Sequence, residues 1–279
     1  MKCGVVVFPG SNCDHDVYHV WKHVLQQDAT FLWHQDETVK DCDLVLLPGG
    51  FAYGDYLRAG ALAALSPVMA AVKRHAAAGG LVLGICNGFQ VLLEAGLLPG
   101  AMRRNASQRF VCRDVWLRVE RDDLPYTRGL RAGQLLRMPV AHAEGNYEDS
   151  AERLDALEAA GLVAFRYASP AGDLDPAWNP NGAARAIAGI CNAAGNVLGL
   201  MPHPERCAEE ILGNTDGLAI FAGALESLAG RQARQAQRPR QTPAALPAAP
   251  ATPAAPAPPE TPAPPRRARR QEERLEVTS

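Results

Sequence analysis

Apolar residues along most of the chain fall into short unbroken runs, each followed by a stretch with helical spacing. Residues 4–8 form one such run, ended by Pro9-Gly10, and residues 17–25 carry apolar positions at helical intervals. Residues 29–33 and 43–47 are further strand candidates, the second stopped by Pro48-Gly49-Gly50. A helix is predicted over 67–78, with Pro67 at its first position and Gly79-Gly80 closing it. Residues 81–85 make another apolar run, and 87–95 reads as a helix closed by Gly96. Fully apolar strands interleaved with helices predict a parallel sheet covered on both faces. Farther along, 110–119 alternates, and Ile187–Cys191, a turn at 192–196 and a run at 197–201 read as a hairpin. No internal repeat is visible. The pattern predicts an α/β fold with an open, mostly parallel sheet flanked by helices.

Composition changes near Gly230. The 27 residues from Pro239 to Pro265 hold eleven Pro and nine Ala, with only Leu246 to bury, too little to offset the entropy of folding. The expected organisation is one folded domain over 1–228 and a Pro/Ala/Arg-rich disordered tail over 229–279. The 279-residue chain has a net charge of -2, but from Arg231 onward nine Arg face four Glu, which leaves the first 230 residues at about -7. An acidic body gives no electrostatic reason to bind nucleic acid. The run Arg266-Arg267-Ala268-Arg269-Arg270 could grip an acidic partner, but reads first as a solvated end.

No stretch is long and apolar enough to span a membrane, and the N-terminus does not read as a signal peptide. Seven scattered cysteines without a secretory signal read as reduced thiols, and a cytoplasmic location is expected. No C-x-x-C pair occurs, so no metal is expected. There is no G-x-x-x-x-G-K-[ST] loop and no G-x-G-x-x-G after a strand, so the chain shows no nucleotide site of its own.

The most informative segment is Gly84-Ile85-Cys86-Asn87-Gly88-Phe89-Gln90. A G-x-C-x-G between an apolar strand and a helix is the thiol counterpart of a nucleophile elbow, in which flanking glycines permit a strained turn. The helix start favours thiolate at Cys86, and the Asn87 N–H can stabilise an oxyanion. Gln90 falls on the same helix face as Cys86. The alternative is a buried cysteine acting as a small hydrophobe. Met201-Pro202-His203-Pro204-Glu205-Arg206 follows a predicted strand end. Its two prolines are expected to hold an extended backbone, with His203 and Glu205 on one side, so that Glu205 can orient His203 as the base for Cys86. A rigid surface turn would look the same. Pro48-Gly49-Gly50-Phe51 ends another strand, and the Gly50 amide is a candidate second oxyanion donor, or part of a plain turn.

The elbow and the His-x-Glu pair together resemble the triad class of glutamine amidotransferase domains. Longer stretches are similar to the family of glutaminase subunits of phosphoribosylformylglycinamidine synthase: PGSNCD at 9–14, PGGFAYGDYLRAG at 48–60, GICNGFQVLLEAGLLPG at 84–100, AHAEGNY at 141–147, NPNG at 179–182, IAGICN at 187–192 and MPHPER at 201–206. The resemblance implies a flavodoxin-like domain with Cys86 as nucleophile, His203 as acid/base and Glu205 as its orienter. It also implies an oxyanion hole from the Gly50 and Asn87 amides, and Gln90 helping to hold glutamine. No cofactor is implied in this chain; ATP and Mg would be used by a large synthetase subunit, accompanied by a small third subunit. Ala143 stands where the family pattern usually has glycine. His142 and Glu144 are candidates for contacting glutamine or a partner, or for a structural role, and are kept out of the catalytic set.

Overall fold

The computed structural model describes residues 1–236. Its centre is a nine-stranded sheet in the order β2-β1-β3-β4-β11-β10-β9-β6-β7. These strands are β1 (Lys2–Val7), β2 (Asp28–Trp33), β3 (Leu44–Leu47), β4 (Leu81–Ile85), β6 (Val111–Val119), β7 (Leu135–His142), β9 (Val163–Ala168), β10 (Ile187–Cys191) and β11 (Val197–Leu200). A separate two-stranded sheet pairs β5 (Ala101–Arg103) with β8 (Asn146–Glu148). Five α-helices accompany them among the described residues: α1 (Asp14–His19), α2 (Pro67–Ala77), α3 (Asn87–Glu94), α4 (Ala151–Ala159) and α5 (Leu218–Ala236).

From β2 to β11 every pairing is parallel, and from β11 to β7 every pairing is antiparallel. The parallel half is the one foretold by the apolar runs. Leu44–Leu47, Leu81–Ile85 and Val197–Leu200 are buried at every position, as strands covered on both faces must be. The predicted hairpin forms, with Gly189 opposite Leu200, and Asn196 in its turn donates to the carbonyls of Ala76 and Gly80 at 2.8 and 2.7 Å. Strands β5, β7, β8 and β9 were not foreseen. β7 buries alternate residues of a run broken by Arg137 and Pro139, a weaker signal than an unbroken apolar stretch.

One helix differs from its expected range, and the folded unit runs past its expected end. The helix expected over 17–25 begins earlier, as α1, and at Val20 widens into a π turn over Val20–Val24, closed by Leu25 N–H donating to Val20 O at 2.9 Å. Both Val20 and Trp21 are buried there. At the other end, the folded unit expected to stop at residue 228 continues, because α5 runs on to Ala236. Ile220, Phe221, Ala224 and Leu228 bury one face of α5, and Arg231 donates to the Gly79 carbonyl at 2.7 Å. The remainder of the expected tail, from residue 237, lies outside the described residues. Among the described residues no helix is long and apolar enough to cross a membrane.

What matters for chemistry is the register of the parallel strands. Leu47 of β3 stands beside Gly84 of β4, and Leu200 of β11 beside Ile85. The carboxyl ends of three central strands therefore finish side by side, and the loops leaving them meet above the sheet edge. α3 packs on all three strands. Its approach is close: a Cβ on Gly88 would lie 1.9 Å from the Leu47 carbonyl oxygen. Gly88→Ala should cost about 3 kcal/mol, the upper end for forcing extra volume into a packed interior, readable as a drop in the urea midpoint at unchanged m-value.

Candidate active site

β4 ends at Ile85, and Cys86 turns the chain directly into α3 with φ 51° and ψ -106°. For a non-glycine residue this is a strained backbone, a state worth about 1–3 kcal/mol that persists only where the surroundings hold it. The surroundings do so here. Cys86 N–H donates to Leu200 O at 2.8 Å, and Cys86 O accepts from Phe89 N–H at 3.0 Å and Gln90 N–H at 3.2 Å. The thiol is almost fully buried, with Ala141 O at 3.8 Å. It sits at the N-terminus of α3, where unpaired N–H groups favour negative charge.

His203 leaves β11 through Met201-Pro202, and its N–H donates to Pro139 O of β7 at 2.8 Å. Its Nδ1 is 2.5 Å from Glu205 Oε1, and both side chains are buried. The backbone route differs from the one expected. Rather than an extended i, i+2 pair, Pro204–Cys207 forms a 3-10 turn with Pro204 at its start, a position that suits proline because no N–H is needed there. The turn still brings Glu205 back onto the ring. Burial opposes a charge on His203, yet the Glu205 carboxylate and then the Cys86 thiol hold its pKa well above the ordinary histidine value. Cys86, His203 and Glu205 are thus brought together, a thiol, an imidazole and a carboxylate.

The sequence model for the CobB/CobQ-like glutamine amidotransferase domain matches residues 1–217. The chain belongs to the CobB/CobQ-like glutamine amidotransferase family. It is 57% identical over 226 residues to the phosphoribosylformylglycinamidine synthase subunit PurQ of Moorella thermoacetica, covering 81% of this chain and 96% of that protein. With the same subunit from Koribacter versatilis it shares 52% over 235 residues, 84% of this chain and 100% of the other. Among solved structures it is similar to a chain of PurLQS from Thermotoga maritima, at 40% identity and a TM-score of 0.72, over 81% of this chain and 98% of that one.

In this amidotransferase domain the loop after β3 is clamped by the loop after β1. Phe51 N–H donates to Gly10 O at 2.9 Å, and the N–H groups of Asn12 and Cys13 reach Gly49 O at 3.4 and 3.2 Å. Gly50 has φ 149°, and a Cβ there would meet Asn12 N and Ser11 Cα at 2.8 Å. A Cβ on Gly49 would lie 2.7 Å from His203 Cε1, so the bare backbone here is what admits the ring. Gly50 on the β3 loop and Asn87 at the start of α3 follow neighbouring strands.

Gln90 and Asn87 are already engaged with protein. Asn87 Nδ2 donates to Gln90 Oε1 at 2.9 Å and to Asp55 Oδ1 at 3.3 Å, while Asn87 Oδ1 accepts from Ala52 N–H at 3.1 Å. Gln90 Nε2 donates to Glu144 O at 2.6 Å. The pair therefore stitches the 51–55 loop, the elbow and the 141–147 loop together around the thiol. Burial and then Glu144 push Asp55 up to about 6. Ala143 has no left-handed backbone, so it fits where the family pattern has glycine.

His142 is buried and bonded within the protein on both sides of its ring. Its Nδ1–H donates to Asn105 Oδ1 at 3.1 Å, its Nε2 accepts from Asn181 Nδ2 at 3.4 Å, and a Cβ on Gly145 would fall 2.3 Å from the ring. Cys13 was the residue that sequence reasoning passed over. Its sulfur lies 4.0 Å from His203 Nδ1 and 2.9 Å from Arg206 Nη2. The only hint was its place in the quoted stretch at 9–14. Among the described residues Cys13, His203 and Glu205 present metal-type donor atoms within 4.8 Å of one another, but the Arg206 guanidinium already supplies positive charge at the sulfur.

Burial, and then the charge of His203, lower the pKa of His142 to about 4. A depressed histidine contributes stability that is complete above its unfolded pKa of about 6.5 and is lost as pH falls toward 4. Between pH 7.5 and 4 the wild-type chain should therefore lose roughly 3 kcal/mol that His142→Asn does not lose. Urea unfolding of both proteins across that range measures the difference, and the common contributions of other groups cancel.

Proposed function

We propose that this chain is the glutaminase subunit of a phosphoribosylformylglycinamidine synthase, working in the cytoplasm and supplying ammonia to a partner. The observation that carries the reading is the strained elbow thiol of Cys86 beside a buried His203–Glu205 pair held at 2.5 Å. The Cys86 thiolate attacks the side-chain carboxamide carbon of glutamine, and the carbonyl oxygen takes up the negative charge toward the Gly50 and Asn87 N–H groups. His203, protonated and steadied by Glu205, gives its proton to the departing nitrogen. Ammonia leaves and a γ-glutamyl thioester remains on Cys86. Neutral His203 then takes a proton from water, hydroxide adds to the thioester carbon, and collapse releases glutamate and the thiol. Oxyanion donors and a positioned acid/base are each worth about 10²–10³ and 10²–10⁴ in rate. Gln90 acts in this scheme by bracing the loops that close over glutamine.

The sequence contains no nucleotide-binding loop, so the ammonia must be used elsewhere. Free ammonia in water is protonated and no longer nucleophilic, which makes direct transfer to a second protein the effective route. The similarity to PurQ subunits and to a chain of a PurLQS assembly supports a large ATP- and Mg-dependent synthetase subunit as that protein, with a small third subunit. The joint reaction converts formylglycinamide ribonucleotide, ATP and glutamine into formylglycinamidine ribonucleotide, ADP, phosphate and glutamate.

Cys86→Ser should reduce glutamate release from glutamine to background and abolish the thioester seen by mass spectrometry. Glu205→Gln should lower kcat by about 10²–10⁴ by leaving the imidazolium without its carboxylate. Substantial turnover by Cys86→Ser would remove the assignment. The purified chain should hydrolyse glutamine slowly and be accelerated at least tenfold by the synthetase and third subunits together. Equal rates with and without them would refute the coupling.

A further inference from the structure

The Nδ1 side of His203 faces two groups. Glu205 Oε1 lies at 2.5 Å and Cys13 Sγ at 4.0 Å. The Cys13 thiol donates to Asn12 Oδ1 at 3.2 Å, and its sulfur accepts from Arg206 Nη2 at 2.9 Å. Arg206 is next in sequence to Glu205, yet its Nε stays 4.0 Å from Oε1. Glu205 Oε2, meanwhile, is buried without any hydrogen-bond partner. A guanidinium and a carboxylate this close ordinarily form the short, forked pair that is among the strongest side-chain contacts. Here the fork is turned onto a sulfur instead, and half of the carboxylate stays bare.

We propose that Cys13 is a positioning residue that holds Arg206 off Glu205, so that the carboxylate acts on His203 alone. The inference rests on the reading of Cys86 and His203 as nucleophile and acid/base. The physical reason is competition for one buried negative charge. If Arg206 closed onto Oε2, the potential that Glu205 exerts at the ring would be largely cancelled. The imidazolium would be less stable, and the Cys86 thiolate, which gains from that positive charge, would form only at higher pH. The other charged or titratable groups facing His203 are Cys86 from the elbow, His142 from β7, and Asp16 from α1, which also feels the charges of Glu205 and Arg206. Replacing Cys13 leaves these groups in place. It removes the acceptor of Arg206 together with the 4.0 Å contact to His203 and the bond to Asn12, and the double variant with Arg206→Leu separates the first from the others.

The test uses the full chain and follows iodoacetamide alkylation of Cys86 by peptide mass mapping between pH 5 and 9, beside the pH profile of kcat/KM for glutamine hydrolysis. Cys13→Ala should move the acid-side limb of both profiles up by about one pH unit, making alkylation roughly tenfold slower below the midpoint. Cys13→Ser, which keeps an acceptor for Arg206, should stay within about twofold of wild type. Cys13→Ala/Arg206→Leu, which removes the intruding cation, should bring the limb back. An unmoved limb in Cys13→Ala, or equal shifts in the alanine and serine variants, overturns the proposal and leaves Cys13 a packing residue. Should Cys13→Ala fail to fold, Arg206→Leu alone decides: the limb stays put or moves down if Cys13 shields Glu205, and moves up if Arg206 supports Glu205 directly. Retained glutamine hydrolysis by Cys86→Ala would instead strike the underlying reading, whatever the Cys13 variants do.

Discussion

The start of α3 is pressed against the end of β3 so tightly that only hydrogen fits between Gly88 and the Leu47 carbonyl. That contact leaves the chain no room to turn gradually after β4. Cys86 must take the whole change of direction in one left-handed residue, and its N–H is pinned to Leu200 as it does so. The strain is borne by the parallel core beneath, whose strands are buried on both faces. The placing of the sulfur at a helix N-terminus is thus a consequence of packing, and the sheet supplies the rigidity that chemistry at that position needs.

The electrostatics follow from the same geometry. Adjacent strand ends bring β11's exit loop against the elbow, and the 3-10 turn at Pro204 folds Glu205 onto His203 out of water. A buried carboxylate is costly unless something answers its charge. The imidazole answers it, and the carboxylate in turn raises the ring's affinity for a proton against the effect of burial. Around this pair the protein keeps its other groups neutral or turned aside: His142 is locked between Asn105 and Asn181, and Arg206 is bonded to Cys13. The loops at 51–55 and 141–147 are tied to the elbow through Asn87 and Gln90, so movement of either is felt at the thiol.

Much of the parallel half was legible because its strands are short, wholly apolar and punctuated by Pro-Gly or Gly-Gly. The elbow was legible for a related reason: glycines on both sides of a cysteine announce close backbone approach. The antiparallel half was harder to read. β7 carries Arg137 and Pro139 inside a strand whose pairing with β6 is decided by partners far away in sequence. α5 was not anticipated, and the composition change near Gly230 set the expected boundary at 228, whereas the buried face of the helix holds its first turns to the domain and the helix continues to Ala236. The site shows the same division. Gln90 was placed correctly on the face of Cys86, but nothing local foretold that both ends of its amide would be bonded to Asn87 and Glu144.

What the amino-acid sequence determined by itself was the set of chemically special residues and the glycine-flanked elbow at Cys86, since the close backbone approach that glycine permits is a local property, whereas the 3-10 turn at Pro204 was set by its surroundings. The sequence identified Cys86, His203 and Glu205 through their neighbours. The tertiary structure alone decided which groups share a charge. Cys13 and His203 are 190 positions apart and Cys13 and Arg206 are 193 apart, and no periodicity links them. Hydrogen bonds and Coulomb forces act over a few ångströms of space, and only the register of the sheet converts those long separations into contact.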